Sequence, residues 1–264
     1  MDVELFVAGA SAVISLAAGV FSARANKRAR EFEFELEKQR KAEDAAEVAA
    51  RILHQYRDPL LDAAQTLQSR MANIVANNYL GRYLHCGDPD EERYARDYTV
   101  FALGEYMCWV EIVRRELRFL DVGDVDSNRL LLGHLNQTQV TLQSDAIRGP
   151  FQVFRGRQRA IAELMMVPTS ATEGPRSDCM GYAAFVKRLD DDEDFASWFA
   201  RLRADVDVVA TRGHDDRLVQ LQNDLVDLIN HLDPKLLRIP ENYRRRLTVQ
   251  PGSAQVKLPA PRPA

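Results

Sequence analysis

The sequence predicts an all-α protein: an N-terminal transmembrane helix that continues into a helical stalk, then a bundle of about seven helices. Residues 5–23 carry no charge, and residues 24–58 contain neither glycine nor proline. Through the remainder, apolar residues recur at spacings of three and four, as on helix faces. The predicted parts are an anchor (1–23), a charged stalk (24–58), a helical bundle (59–240) and a basic, then proline-rich disordered tail (241–264).

The uncharged run reads LFVAGASAVISLAAGVFSA. At about 1.5 Å per residue, a helix of this length spans nearly 30 Å, which matches the hydrocarbon core of a bilayer. Asp2 and Glu4 precede the run, and four basic residues follow it at once: Arg24, Lys27, Arg28 and Arg30. Because positive charge stays on the cytoplasmic side, we expect a single pass through the inner cell membrane, with the N-terminus outside and residues 24–264 in the cytoplasm.

Two other interpretations of this run stay open. Ala23-Arg24-Ala25 resembles a signal-peptidase site, but a signal peptide carries its basic residues before the apolar run. A buried helix of a soluble fold is the second alternative. We favour the anchor over both.

Two patterns favour self-association. Small residues recur along the anchor at three- and four-residue spacings, which lets helices approach closely in lipid: Ala8, Ser11, Ala12, Ser15, Gly19 and Ser22. The stalk carries a heptad-like seam typical of a coiled coil: Phe32, Leu36, Gln39, Ala42, Ala46, Ala49, Leu53 and Tyr56. The stalk is expected to pair with a second copy, or to pack its lower half on the body.

In the bundle, Asp58-Pro59 and Asp88-Pro89 each predict a helix start, with Asp as the N-cap and Pro as the first helical residue. The helix after Pro89 is apolar almost all round and is predicted to be the central one. Residues 168–177 are predicted to form a surface loop. A further helix is predicted to begin at 124–127 and to be stopped by Gly149-Pro150. The remaining predicted helices cover about 157–167, 178–189, 193–211 and 215–232, and the Asp190-Asp191-Asp192 run is predicted to be a solvated linker and the N-terminal cap of the helix at 193–211.

Composition and motifs exclude several classes of function. The net charge of −4 argues against nucleic-acid binding, and no phosphate loop, HExxH or GxSxG occurs. We therefore expect no enzyme, no cofactor and no metal. One alternative is an HD-type phosphohydrolase built on His214 and Asp215; the other, which we favour, makes Asp215 the N-cap of the last helix.

The strongest polar constellation is a run of arginines at Arg148, Arg155, Arg157 and Arg159. Four guanidinium groups near a helix N-terminus suit a phosphate-like anion. The alternative is a structural network with acids of the central helix. Glu105 lies on an apolar face, so we expect it to need a cationic partner, either Arg155 or Arg159.

A second basic cluster comprises Arg238, Arg244, Arg245 and Arg246. We favour a solvated chain end here, and contact with anionic lipid is the less favoured alternative. The three cysteines (Cys86, Cys108 and Cys179) have no metal-ligand spacing, and we expect reduced thiols.

Three segments, YRDPLLDAAQTLQSR (56–70), WVEIVRRELRFLD (109–121) and FRGRQRAIAELM (154–165), resemble a group of uncharacterised bacterial proteins with an N-terminal anchor and a helical body. The resemblance covers about residues 50–240 and implies architecture but no functional residue. The leading hypothesis is therefore a membrane-tethered cytoplasmic scaffold that binds another protein. The alternative is a sensor for a phosphate-bearing ligand at the arginine run.

Overall fold

The computed structural model describes most of the chain from residue 30 to residue 248. The described residues are 30, 32–41, 43–44, 47, 55–118, 126–171, 174–213 and 215–248. The predicted anchor, residues 1–23, lies outside them. None of the helices that the structure describes is long and apolar enough to cross a membrane.

The chain divides into two compact units, Met1–Ala50 with Leu120–Gly123, and Arg51–Phe119 with Asp124–Ala264. We call the second unit the body. In the first unit the described residues are helical, and Lys41 Nζ lies 2.8 Å from the carboxylate of Glu37, one turn earlier.

The body confirms the all-α prediction in its main features. Its helices are α1 (described over 55–77), α2 (Tyr79–Tyr83), α3 (Pro89–Arg118), α4 (Asp126–Gln143), α5 (Arg155–Met165), α6 (Tyr182–Asp191), α7 (Glu193–Arg212) and α8 (Asp216–Leu232). A short hairpin is formed by β1 (Met166–Ala171) and β2 (Gly174–Cys179), and a 3-10 turn by Glu241–Tyr243.

Helix α3 is the central helix, as predicted. It packs against α5, α6 and α7, while α4 packs along α8. Its middle is buried on nearly every side. The ring of Phe101 on α3 packs against that of Phe185 on α6, which in turn meets Phe195 and Phe199 on α7 edge to face.

Three aspartates cap helices in the predicted way. Asp88 accepts from the backbone N–H groups of Asp90 and Glu91, at 3.0 and 3.3 Å. Asp192 and Asp215 each accept from the N–H three residues on, at 2.9 and 3.1 Å. Each carboxylate satisfies backbone donors that have no partner inside the helix.

The prediction of a helix start at Asp58-Pro59 is wrong. Residues 55–58 are already helical, and the Asp58 carboxylate pairs with Arg238 instead of capping α1. The break comes later, at Asn78, which adopts a left-handed conformation (φ 49°) and separates α1 from α2. Asparagine tolerates this conformation better than most residues.

The predicted loop at 168–177 is also wrong, because the strands β1 and β2 pair antiparallel there. Met166 lies opposite Cys179, and Ala171 lies opposite Gly174. Backbone hydrogen bonds hold the hairpin together, although its sequence shows no alternation of apolar residues. In a sheet of two strands each strand has one unpaired edge, and Pro168 and Pro175, which have no N–H group, are tolerated there. The hairpin lies against α3 through β2.

The predicted start of the tail at residue 241 comes too early. Residues 241–248 pack on the body, where Leu247 is buried and its N–H donates to the side-chain oxygens of Gln222 and Asn223 at 3.1 and 3.0 Å. Residues 249–264 lie outside the described part of the chain.

Candidate functional site

The structure does not bring the predicted arginine run to one point. Arg155 Nη2 donates to Asn136 Oδ1 on α4 at 2.8 Å. Arg157 Nη2 donates to the backbone carbonyl of Trp198 on α7 at 3.1 Å. Arg148 is exposed and has no ion-pair or hydrogen-bond partner among the described residues.

Arg159 belongs to an acid–base network on α3 and α5. Its Nη2 lies 3.4 Å from Glu111, whose side chain is 5 % exposed, and 3.8 Å from Glu163. Arg115 pairs with the same two carboxylates. The network balances two positive with two negative charges, which offsets the desolvation of Glu111.

The cavity beside this network is small. It measures about 10 Å³ and is lined by Tyr106, Gln139 and Gln158 besides Glu111 and Arg159. This volume admits a group of the size of one water molecule, so a phosphate does not fit between these side chains.

Glu105 has neither expected partner. Arg155 and Arg159 contact Asn136 and Glu111, and no described residue forms an ion pair with Glu105. Burial and the nearby negative charge of Asp62 raise the pKa of Glu105 to about 7. The carboxyl is therefore largely protonated in mildly acidic solution.

Replacing Glu105 with glutamine is expected to stabilise the protein much more at pH 8 than at pH 5. The folded pKa lies above the ordinary value of 4.5, so the folded state loses stability as the pH rises from about 4.5 through 7. At about 1.4 kcal/mol per pKa unit, the difference between 4.5 and about 7 corresponds to about 3.5 kcal/mol above pH 7. Solvent screening of this partly exposed carboxyl lowers the penalty to about 2–3 kcal/mol, and the amide removes it.

Urea unfolding at the two pH values measures this difference. Glu116→Gln, three turns further along α3, is the matched control. A stabilisation by Glu105→Gln that is equal at pH 5 and pH 8 contradicts an ionisation effect.

Two of the three cysteines meet where β2 reaches α3. The hydrogen bond with Cys108, together with burial, raises the pKa of the Cys179 thiol far above its usual range. Both thiols are free, and Cys86 is free and exposed. A thiol held in the protonated form is a poor nucleophile, so Cys179 does not suit covalent catalysis.

The HD-type alternative depends on His214, which lies outside the described residues. Asp215 is the cap of α8. His134 and His231 pack between α4 and α8 with ring centroids 5.2 Å apart, and burial lowers the pKa of His231. No group of three or more His, Cys, Asp or Glu side chains is placed to hold a metal in this part of the chain.

Sequence reasoning missed Arg217, a fully buried arginine on α8. Its guanidinium donates to five backbone carbonyls at the end of α4 and in the loop after it: Thr141 (2.5 Å), Leu142 (3.2 Å), Ser144 (3.0 Å), Ile147 and Pro150 (3.2 Å). Arg217 therefore satisfies carbonyls that lack helical partners, and it fixes the loop that leads to α5.

Arg244, from the second basic cluster, is also internal. Its guanidinium is 2.6 Å from Asp233 and donates to the carbonyl oxygens of Asp233 and Ile239. Arg238 and Arg246 pair with the carboxylates of other elements, at Asp58 and Asp227. Three of the four arginines thus fasten the C-terminal segment, and Arg245 is exposed.

Compared with known protein families, with curated proteins and with solved structures, the chain shows no match. The resemblance to anchored bacterial proteins therefore stays an expectation. A function for this chain rests on its own residues.

Proposed function

We propose that this protein is a single-pass, membrane-tethered helical module whose body lies in the cytoplasm and binds another protein. The observation that carries the proposal is the uncharged run at residues 5–23 with basic residues directly behind it. In lipid such a helix satisfies its own backbone hydrogen bonds. The basic residues favour the cytoplasmic side.

Exposed apolar side chains support the binding role. On α4, Leu130, Leu132 and Val140 are exposed, although the opposite face of this helix packs on α8. In the first unit, Phe32 and Phe34 are exposed as well. Phenylalanine is enriched at protein interfaces, and we assign the stalk and the small-residue face of the anchor to self-association.

No observation favours the alternative of a phosphate sensor at the arginine run. Arg155, Arg157 and Arg159 each contact a different helix of the body.

Vesicle flotation of the full-length chain tests the tether. The chain is expected to float with neutral phosphatidylcholine vesicles after reconstitution. Val13→Arg places a charge at the middle of the run, which costs about 2.5–3.5 kcal/mol of insertion free energy, and it is expected to shift the chain to the aqueous fraction. Ala25→Arg, just outside the run, is the matched control and is expected to float normally.

Labelling of Cys86 reports on which side of the membrane the body lies, because its thiol is exposed to reagents whereas that of Cys108 is buried. In spheroplasts, a membrane-impermeant maleimide is expected to label Cys86 only after the membrane is permeabilised. Labelling of intact spheroplasts, or a wild-type chain that stays in the aqueous fraction, contradicts the proposal.

A further inference from the structure

Arg70, on α1, lies among tyrosine rings. Its guanidinium carbon is 4.6 Å from the ring centroid of Tyr79, 4.7 Å from that of Tyr98 and 5.4 Å from that of Tyr94. Such distances are typical of cation–π contacts. The residue as a whole is only 8 % exposed.

Two other buried arginines of the body make many more hydrogen bonds than Arg70. Arg217 and Arg244 are as buried as Arg70, and each makes five hydrogen bonds. Arg70 makes one, a long contact of 3.5 Å from Nη2 to the Tyr94 hydroxyl, and it has no carboxylate partner among the described residues. Since a guanidinium carries five N–H donors, most donors of Arg70 are unused.

The unused donors keep some contact with solvent. Nε and Nη1 of Arg70 have no hydrogen-bond partner in the described part of the chain, and neither is a fully enclosed polar atom. A small group can therefore approach the guanidinium edge from solvent.

The surrounding rings hold the guanidinium in place. Tyr94 and Tyr98 stack with centroids 5.0 Å apart, and Tyr182 from α6 meets Tyr98 edge-on at 5.2 Å. Burial raises the pKa of the Tyr98 and Tyr182 phenols, which keeps these hydroxyls protonated as donors. Tyr94 is exposed, so its hydroxyl is free to turn toward a ligand.

The acids near the tyrosines do not pair with Arg70. Asp97 lies 2.9 Å from Arg203 and 3.5 Å from Arg93, and Arg93 also pairs with Asp190 at 2.7 Å. Glu105, whose charge also acts on Tyr98, forms no ion pair with a described residue. The charge of Arg70 therefore has no direct counterpart among the described residues.

We propose that Arg70 and the Tyr94 hydroxyl form a binding site for an oxyanion, the carboxylate or phosphate group of a ligand. A guanidinium binds such groups through two parallel N–H donors. Because the rings fix the guanidinium beforehand, little conformational entropy is lost on binding. The site is independent of the membrane tether and of the arginine run.

The test titrates the full-length chain, in a neutral, phosphate-free detergent, with inorganic phosphate in one series and acetate in another. Chloride holds the ionic strength constant. The Nε–Hε resonance of Arg70 is expected to shift saturably, and the thermal midpoint is expected to rise with the same dissociation constant. The series that saturates at the lower concentration identifies the preferred oxyanion.

Three variants, compared by the rise of the thermal midpoint with added phosphate or acetate, show whether the oxyanion binds at Arg70. Arg70→Lys keeps the charge but loses the paired donors, so we expect affinity to fall about tenfold. Tyr94→Phe keeps the ring and is expected to weaken binding severalfold. Arg82→Gln removes a neighbouring exposed arginine and is expected to leave binding unchanged.

An Arg70 resonance that does not shift, or that shifts without saturation in both series, overturns the proposal. The same holds if Arg82→Gln weakens binding as much as Arg70→Lys. Should Arg70→Lys fail to fold, the wild-type resonance and Tyr94→Phe still decide the question.

Discussion

Replacing Arg217 with methionine is expected to destabilise the body by about 3–5 kcal/mol. The five carbonyls that it binds lie 67 to 76 residues away in the chain. In the variant, the carbonyls of Leu142 and Ser144 still accept from Val153 N–H and from the side-chain amide of Gln152. The carbonyls of Thr141 and Pro150 become buried acceptors without a partner, and each costs about 1–3 kcal/mol. The carbonyl of half-buried Ile147 loses its donor as well.

Urea unfolding followed by tryptophan fluorescence measures the loss. Arg217→Lys is expected to fall between wild type and Arg217→Met, since one ammonium cannot reach five acceptors spread along a loop. Arg212→Met, on the exposed end of α7, is the control and is expected to change stability by less than about 0.5 kcal/mol. An Arg217→Met effect no larger than the control shows that solvent replaces the guanidinium.

Local chemistry explains what could be predicted. The caps Asp88, Asp192 and Asp215 depend on a carboxylate meeting an N–H two or three residues on, so a short window of sequence contains all the information. The central position of α3 follows from its apolar composition. Pro59 misled because proline is favoured in a first turn, whereas here residues 55–58 are already helical and the missing N–H of Pro59 costs one backbone hydrogen bond.

The arginine run shows how proximity in sequence misleads. Arg155, Arg157 and Arg159 lie two residues apart on α5. On a helix, residues two apart point in very different directions. Arg157 therefore reaches α7, away from the other two. Arg155 and Arg159 are four residues apart and share a side of α5, but Asn136 on α4 and Glu111 on α3 hold their guanidinium groups apart.

Arg217 did leave a signal in the sequence. It stands four and eleven residues before Leu221 and Leu228, on the buried face of α8. A charged residue at such a position indicates a buried polar interaction. Its partners stay unpredictable, because only the packing of α4 on α8 brings them within reach. The same reason hides the tyrosines around Arg70, which come from α2, α3 and α6.

Replacing Asp233 with asparagine is expected to cost about 2–4 kcal/mol at pH 7. The carboxylate is fully buried and accepts from the N–H groups of Leu237, Arg238 and Ile239 at 2.9 to 3.0 Å, besides Arg244 at 2.6 Å. An amide has one acceptor oxygen and turns its NH₂ group toward these donors. The segment after α8 then loses its attachment.

The cost is expected to depend on pH. Burial alone raises the pKa of Asp233, but the three backbone donors and Arg244 outweigh it and hold the pKa at about 2, below the ordinary 3.8. Because the folded pKa is lowered, the carboxylate contributes about 2 kcal/mol above pH 4, and this is lost as the pH falls toward 2.

Unfolding of wild type and Asp233→Asn at pH 7 and at pH 2.5 measures the dependence, and the difference between the two proteins is expected to shrink at the lower pH. Asp227→Asn is the matched control, since Asp227 pairs with Arg246 at the surface of the same helix. An exposed pair of this kind contributes less than about 1 kcal/mol. If the two variants lose the same stability, the backbone donors to Asp233 contribute nothing beyond an ordinary surface ion pair, and the C-terminal segment is held by the burial of Leu247 instead.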